Sequence, residues 1–90
     1  MHHVYIVRCA DGTLYTGYAR DLQARVWAHN SGRGAKYTAG RRPVRLVYSA
    51  TFRSLGKALR REHEIKRLSR REKLSLVAQE ARRRSRGVPN

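Results

Sequence analysis

Residues 3–9, His-Val-Tyr-Ile-Val-Arg-Cys, are β-branched and aromatic and predict a strand. Asp11-Gly12 is a strong turn signal, and Leu14 to Tyr18 reads as the returning strand. The turn type decides which side chains share a face. A two-residue loop would put Tyr5 and Tyr15 on opposite faces of the hairpin. A three-residue loop, Ala10-Asp11-Gly12 with Gly12 left-handed, pairs Cys9 with Thr13 and puts both phenols on one face. The second register is expected here.

Beyond the hairpin the apolar period becomes helical. Asp21 is a good N-cap for a helix from Leu22 to about Asn30, with Gly32 or Gly34 ending it. At about 100° per residue, Leu22, Arg25, Val26 and His29 fall on one face. An ordinary core-facing stripe does not usually carry both a guanidinium and an imidazole. Trp27 falls off the stripe, which predicts that it packs elsewhere or sits partly exposed. From Gly32 to Pro43 runs a basic, glycine-rich loop that has neither a glycine-lysine-serine/threonine ending nor dinucleotide-binding glycine spacing. Val44 to Phe52 predicts a third strand.

Ser54 can cap a second helix, from Leu55 to about Leu68, on which Leu55, Ala58, Leu59 and Ile65 cluster with Glu62 in their midst. A carboxylate centred on an apolar face is costly unless something positive meets it. A divalent cation, Arg25, or Lys66 one turn on would each serve. Glu64 points the other way. Ser69 looks like the cap of a third helix carrying Leu74, Leu76, Val77 and Ala81. After it the apolar periodicity ends, so the expected division is one domain over 1–80 and a flexible basic tail over 81–90.

Charge changes the picture most. The 90 residues hold 21 Lys and Arg against 6 Asp and Glu, a formal net charge of +15. A compact domain this basic repels itself unless it meets a polyanion, and nucleic acid is the leading partner. A single cysteine excludes an internal disulfide and a thiolate zinc cage and suits a reducing compartment. No apolar run approaches the roughly 20 residues a membrane span needs, and the start does not read as a signal peptide. A cytoplasmic protein with no membrane partner is expected.

Six carboxylates leave little choice of metal ligand. Asp11 serves the turn, Asp21 the cap, Glu64 faces outward, and Glu72 and Glu80 lie among dense, solvated charge. Glu62 is the one that asks for a partner. Tyr5 and Tyr15 suit packing in a small sheet, and Gly17 suits a bulge or a close approach by another backbone or a ligand. Cys9 has no recognisable base beside it and reads as a small strand residue.

Taken together, His3-Val4-Tyr5, Tyr15-Thr16-Gly17 ten residues on, Asp21-Leu22 and Arg25-xxx-His29 resemble the GIY-YIG nuclease superfamily. The loop Asn30-Ser-Gly-Arg-Gly-Ala-Lys-Tyr-Thr38, then Arg41-Arg42-Pro43 and Leu59-Arg-Arg-Glu-His-Glu-Ile-Lys66, is similar to its small stand-alone bacterial branch. His3 replaces the first glycine of the name-giving triplets and Thr16 the isoleucine of the second. The resemblance implies an α+β fold, a three-stranded antiparallel sheet flanked by helices. It further implies that Tyr5 helps deprotonate the attacking water and that Tyr15 positions the water and the scissile phosphate. Arg25 would be the catalytic arginine and Glu62 the single carboxylate ligand of one Mg²⁺ or Mn²⁺ ion. His29 would assist proton transfer or touch phosphate.

A phenol titrates near ~10, too high for a base at neutral pH, and a nearby arginine and metal ion are expected to pull that value down. Gly17, Arg33, Lys36, Arg41 and Arg42, with the C-terminal arginines, are expected to line the nucleic-acid surface. No added DNA-recognition domain is visible, which implies low sequence specificity. The function expected is a metal-dependent endonuclease on DNA rather than RNA, acting on damaged, branched or single-stranded forms. The alternatives are a non-catalytic nucleic-acid binder on the same fold and a basic protein docking on an acidic partner.

Overall fold

Gly12 sets the register of the sheet. It adopts φ +87°, the Cys9 amide donates to Thr13 O at 2.8 Å, and the Gly12 amide donates to Cys9 O at 2.9 Å. This is the three-residue loop, closed further by Asp11 Oδ1, which accepts from the Thr13 amide and hydroxyl. The computed structural model describes residues 1–86. Strand β1 (His2–Arg8) pairs antiparallel with β2 (Leu14–Ala19) so that Tyr5 faces Gly17 and Val7 faces Tyr15. With a side-chain period of two, both tyrosines therefore lie on one face, as expected. Strand β3 (Arg45–Phe52) flanks β1 on its other side, giving the order β2-β1-β3, with one register shift at Ile6/Val7.

Four helices complete the chain: α1 (Leu22–Asn30), α2 (Lys36–Ala39), α3 (Leu55–Lys66) and α4 (Arg70–Arg86). The fold is the expected α+β arrangement, with a core on each sheet face. On one face Val4, Ile6 and Tyr48 meet Ala58 and Ile65 of α3, with Leu76 and Val77 of α4 packed on them. The other face gathers Tyr5, Val7, Cys9, Ala19 and Val44 under Leu22 and Val26 of α1. Asp21 caps α1 through the Ala24 amide, Ser54 caps α3 through the Lys57 amide, and Ser69 and Glu72 cap each other's amides reciprocally at the start of α4.

Four expectations need correction. Leu55 and Leu59 are 47% and 43% exposed rather than buried with Glu62. Helix α3 touches the sheet along Ala58 and Ile65, and Leu59 stands about 100° round from Ala58. Helix α2 interrupts what reads as a plain loop. Helix α4 runs unbroken through Arg86, so a boundary at 81 falls inside it. Residues 87–90 of the expected tail lie outside the described residues. Glu80 is 6% exposed rather than solvated, with Arg83 and Arg84 on its carboxylate, pairs that only a continuing helix brings together.

Candidate active site

The Tyr5 ring leans across β2 and lies over Gly17, where a Cβ would come within 2.6 Å of Tyr5 Cζ. Gly17 is neither a bulge nor a nucleic-acid contact. It is buried beneath the phenol, and its lack of a side chain makes the room. The face carrying Tyr5 is covered by α1, whose stripe places Arg25 and His29 on the same phenol. Arg25 Nε donates to Tyr5 Oη at 3.2 Å, and His29 Nε2 lies 2.8 Å from it. The Tyr15 hydroxyl lies near the same guanidinium. Tyr5 and His29 are completely buried.

Burial pushes the Tyr5 phenol above its ordinary value, against the opposing pull of the Arg25 hydrogen bond and charge. Arg25 alone therefore does not lower the phenol, because desolvation of the phenolate outweighs one guanidinium. Burial, then the nearby Arg25 charge, holds His29 below its usual value, so the imidazole is neutral at pH 7.

The loop after α1 folds over this pair. His29 Nδ1 lies 2.7 Å from Thr38 Oγ1, on the one-turn helix α2. Tyr15 meets the edge of the His29 ring at 5.3 Å between centroids and stacks on Tyr37 at 5.7 Å. Arg41 lies over the Tyr37 ring, 4.2 Å from its centre. Asn30, the last residue of α1, holds the loop shut by bonding both the amide and the carbonyl of Val44. Thr38, Tyr37 and Asn30 are missed by residue-type reasoning. All three fall in or beside the loop motif that carried the family resemblance, the one signal that could have marked them.

Glu62 approaches from α3. Its charge acts on the Tyr5 phenol, its side chain is 18% exposed, and Oε2 lies 3.2 Å from Lys66 Nζ. Of the partners open to it, Lys66 is the one engaged, while Arg25 turns to the tyrosines. Among the described residues no three His, Cys, Asp or Glu side chains come together as a metal cage. A lone, partly exposed carboxylate still fits an oxygen-seeking ion that keeps most of its water and takes phosphate oxygens as its other ligands.

Of the basic residues assigned to the backbone, Arg33 and Lys36 are exposed. Arg41 is spent largely on structure, pairing with Asp11 at 3.0 Å and donating to Tyr37 O. Arg42 braces Ala39 O and Asn30 O. Arg33 and Lys36 are thus the two of the four not drawn into these structural contacts.

This sheet, with two tyrosines, an arginine and a histidine on one face and a glutamate brought in by a later helix, is the arrangement of a GIY-YIG nuclease domain. The chain belongs to that family: the model of the GIY-YIG catalytic domain matches residues 1–75. More particularly, it is similar to UPF0213 proteins. The one from Staphylococcus saprophyticus is 55% identical over 78 residues, spanning 87% of this chain and 95% of the relative. One from Staphylococcus epidermidis is 58% identical over 76 residues, spanning 84% and 93%. Two solution NMR structures agree in fold. The UPF0213 protein BH0048 from Bacillus halodurans is 52% identical with a TM-score of 0.58, and EF2693 from E. faecalis is 38% identical with a TM-score of 0.60. Each alignment covers 87% of this chain and 83% of the other. The family is one of endonucleases, which makes nucleic acid the substrate class. Among the described residues no helix is long and apolar enough to cross a membrane.

Proposed function

We propose that this protein is a cytoplasmic, metal-dependent endonuclease that hydrolyses phosphodiester bonds in DNA with low sequence specificity, on damaged, branched or single-stranded forms met in repair or recombination. The observation that carries the reading is the convergence of Arg25 Nε and His29 Nε2 on the single phenolic oxygen of Tyr5.

A phosphate arriving at the site draws the Arg25 guanidinium onto its own oxygens, where the fork geometry and charge favour it. That movement uncovers the Tyr5 oxygen. Water then attacks phosphorus, giving its proton to Tyr5 as Tyr5 passes its own to His29 Nε2. The P–O bond to the leaving oxygen breaks, and that oxygen takes a proton from solvent. No free phenolate is needed, which suits a phenol whose burial opposes ionisation. Arg25 stabilises the charge that grows on the phosphoryl oxygens. Tyr15, held between His29 and Tyr37, orients water and phosphate. His29 is sealed behind the tyrosines and assists proton transfer rather than touching phosphate. Glu62 would hold the Mg²⁺ or Mn²⁺ ion, which when bound supplies further charge stabilisation at the phosphate.

The full burial of Tyr5 also favours a second reading, a protein that holds nucleic acid without cutting it. Cleavage of single-stranded, duplex and branched DNA and RNA with Mg²⁺ or Mn²⁺ separates the two. Wild type is expected to nick DNA at low salt, and Arg25→Ala and Glu62→Ala to lose about 10²-fold or more in rate while still binding. Binding without cleavage by all three proteins would establish the second reading.

A further inference from the structure

The hydrogen-bond chain behind Tyr5 has a direction. Thr38 is completely buried, and its hydroxyl lies 3.0 Å from Ala35 O, to which it donates. A hydroxyl has one proton to give. With that proton on Ala35 O, Thr38 Oγ1 can only accept from His29 Nδ1 at 2.7 Å. The neutral ring then carries its hydrogen on Nδ1 and leaves Nε2 bare.

The other end of the chain imposes the same answer independently. Tyr5 Oη already accepts from Arg25, and its own proton is buried with one neighbouring acceptor to receive it, His29 Nε2 at 2.8 Å. A hydrogen on Nε2 would leave the phenol proton stranded in the core as an unmet buried donor. Gly34 keeps the arrangement open, since a Cβ there would collide with His29 Nδ1 and lie 2.8 Å from its Cγ.

We propose that Thr38 is a positioning residue of this site, fixing the tautomer of His29 so that Nε2 stands ready to take the Tyr5 proton. The role rests on the endonuclease reading for its consequence in cleavage, and on geometry alone for the tautomer. Tyr5 of β1, Tyr15 of β2, Arg25 of α1 and Thr38 of α2 are the polar groups that face the imidazole. Only Thr38 among them touches Nδ1.

The deciding experiment is nitrogen NMR of the full chain labelled at histidine, at pH near 7.5. Wild-type His29 is expected to show a protonated Nδ1 and a bare Nε2. A protonated Nε2 would overturn the proposal whatever the enzyme does. Thr38→Val keeps the shape and removes the acceptor, leaving one stranded donor with either tautomer, so the hydrogen is expected to divide between Nδ1 and Nε2 and cleavage to fall with the fraction of bare Nε2. Thr38→Ser should restore the wild-type nitrogen pattern and most of the rate. An unchanged pattern in a folded Thr38→Val protein, or a Thr38→Ser protein with the hydrogen on Nε2, would also overturn it. Should wild type cut nothing, the endonuclease reading fails while the nitrogen signals still decide the role of Thr38.

Discussion

Single atoms decide whether this site exists. At Gly17 a methyl group would occupy the space of the Tyr5 phenol. Gly17→Ala is expected to destabilise the fold by about 1–3 kcal/mol through overpacking and to abolish cleavage in the refolded protein. Chemical denaturation beside an activity assay would check both. His29 adds a pH dependence. Its folded-state value lies below the ordinary 6.5 because of burial and then Arg25. As pH falls through 6.5 the unfolded chain binds a proton that the folded chain refuses, so stability falls with pH; well above 6.5 the contribution is constant. Urea unfolding between pH 8 and 5 should show this slope, reduced in His29→Gln. The exposed carboxylates Asp11 and Glu72, held low by Thr13 and Ser69, act in the same direction but at more acidic pH.

Elements differ in how much of them the sequence betrays. The hairpin register was legible because, of the two short loops, only the three-residue one with Gly12 left-handed brings both tyrosines to one face. Helix α1 was legible from its cap and its stripe, down to the exposed Trp27 at 65%. Helix α2 was not, since four residues cannot show a helical period and Ala35 offers no side-chain cap. With it went Thr38, a residue type common on surfaces and here wholly buried. The extent of α4 was hidden because arginine tracts read as solvated charge, whereas Arg83 and Arg84 close over Glu80. Asn30 ties the start of the loop carrying α2 to its end, its side chain 2.6 Å from the Val44 amide and 3.1 Å from its carbonyl. Asn30→Ala is expected to cost about 1–3 kcal/mol for the two orphaned backbone groups. Faster hydrogen exchange at Val44 and Thr38, with α3 and α4 unaffected, would be its signature.

For the molecule as a whole, a net charge of +15 over 90 residues makes association with nucleic acid dependent on salt. Each phosphate neutralised on duplex DNA contributes about −0.9 to the slope of log affinity against log salt. Arg33 and Lys36, exposed beside the site, are expected to supply two such contacts. The double substitution Arg33→Ala, Lys36→Ala should flatten the slope by about two. A slope unchanged in a titration series would move the contact surface elsewhere.

The sealed phenol has a consequence for what such an enzyme spares. On the endonuclease reading, Arg25 must shift off the buried Tyr5 oxygen before a phosphate and water reach it, so the resting site is closed. A polymer pressed against the basic surface by many phosphates can hold the guanidinium long enough to open the site. A dinucleotide or a free phosphate monoester has no such purchase. In a cell crowded with soluble phosphate esters, the closed arginine would make chain length, rather than sequence, the first credential the enzyme demands.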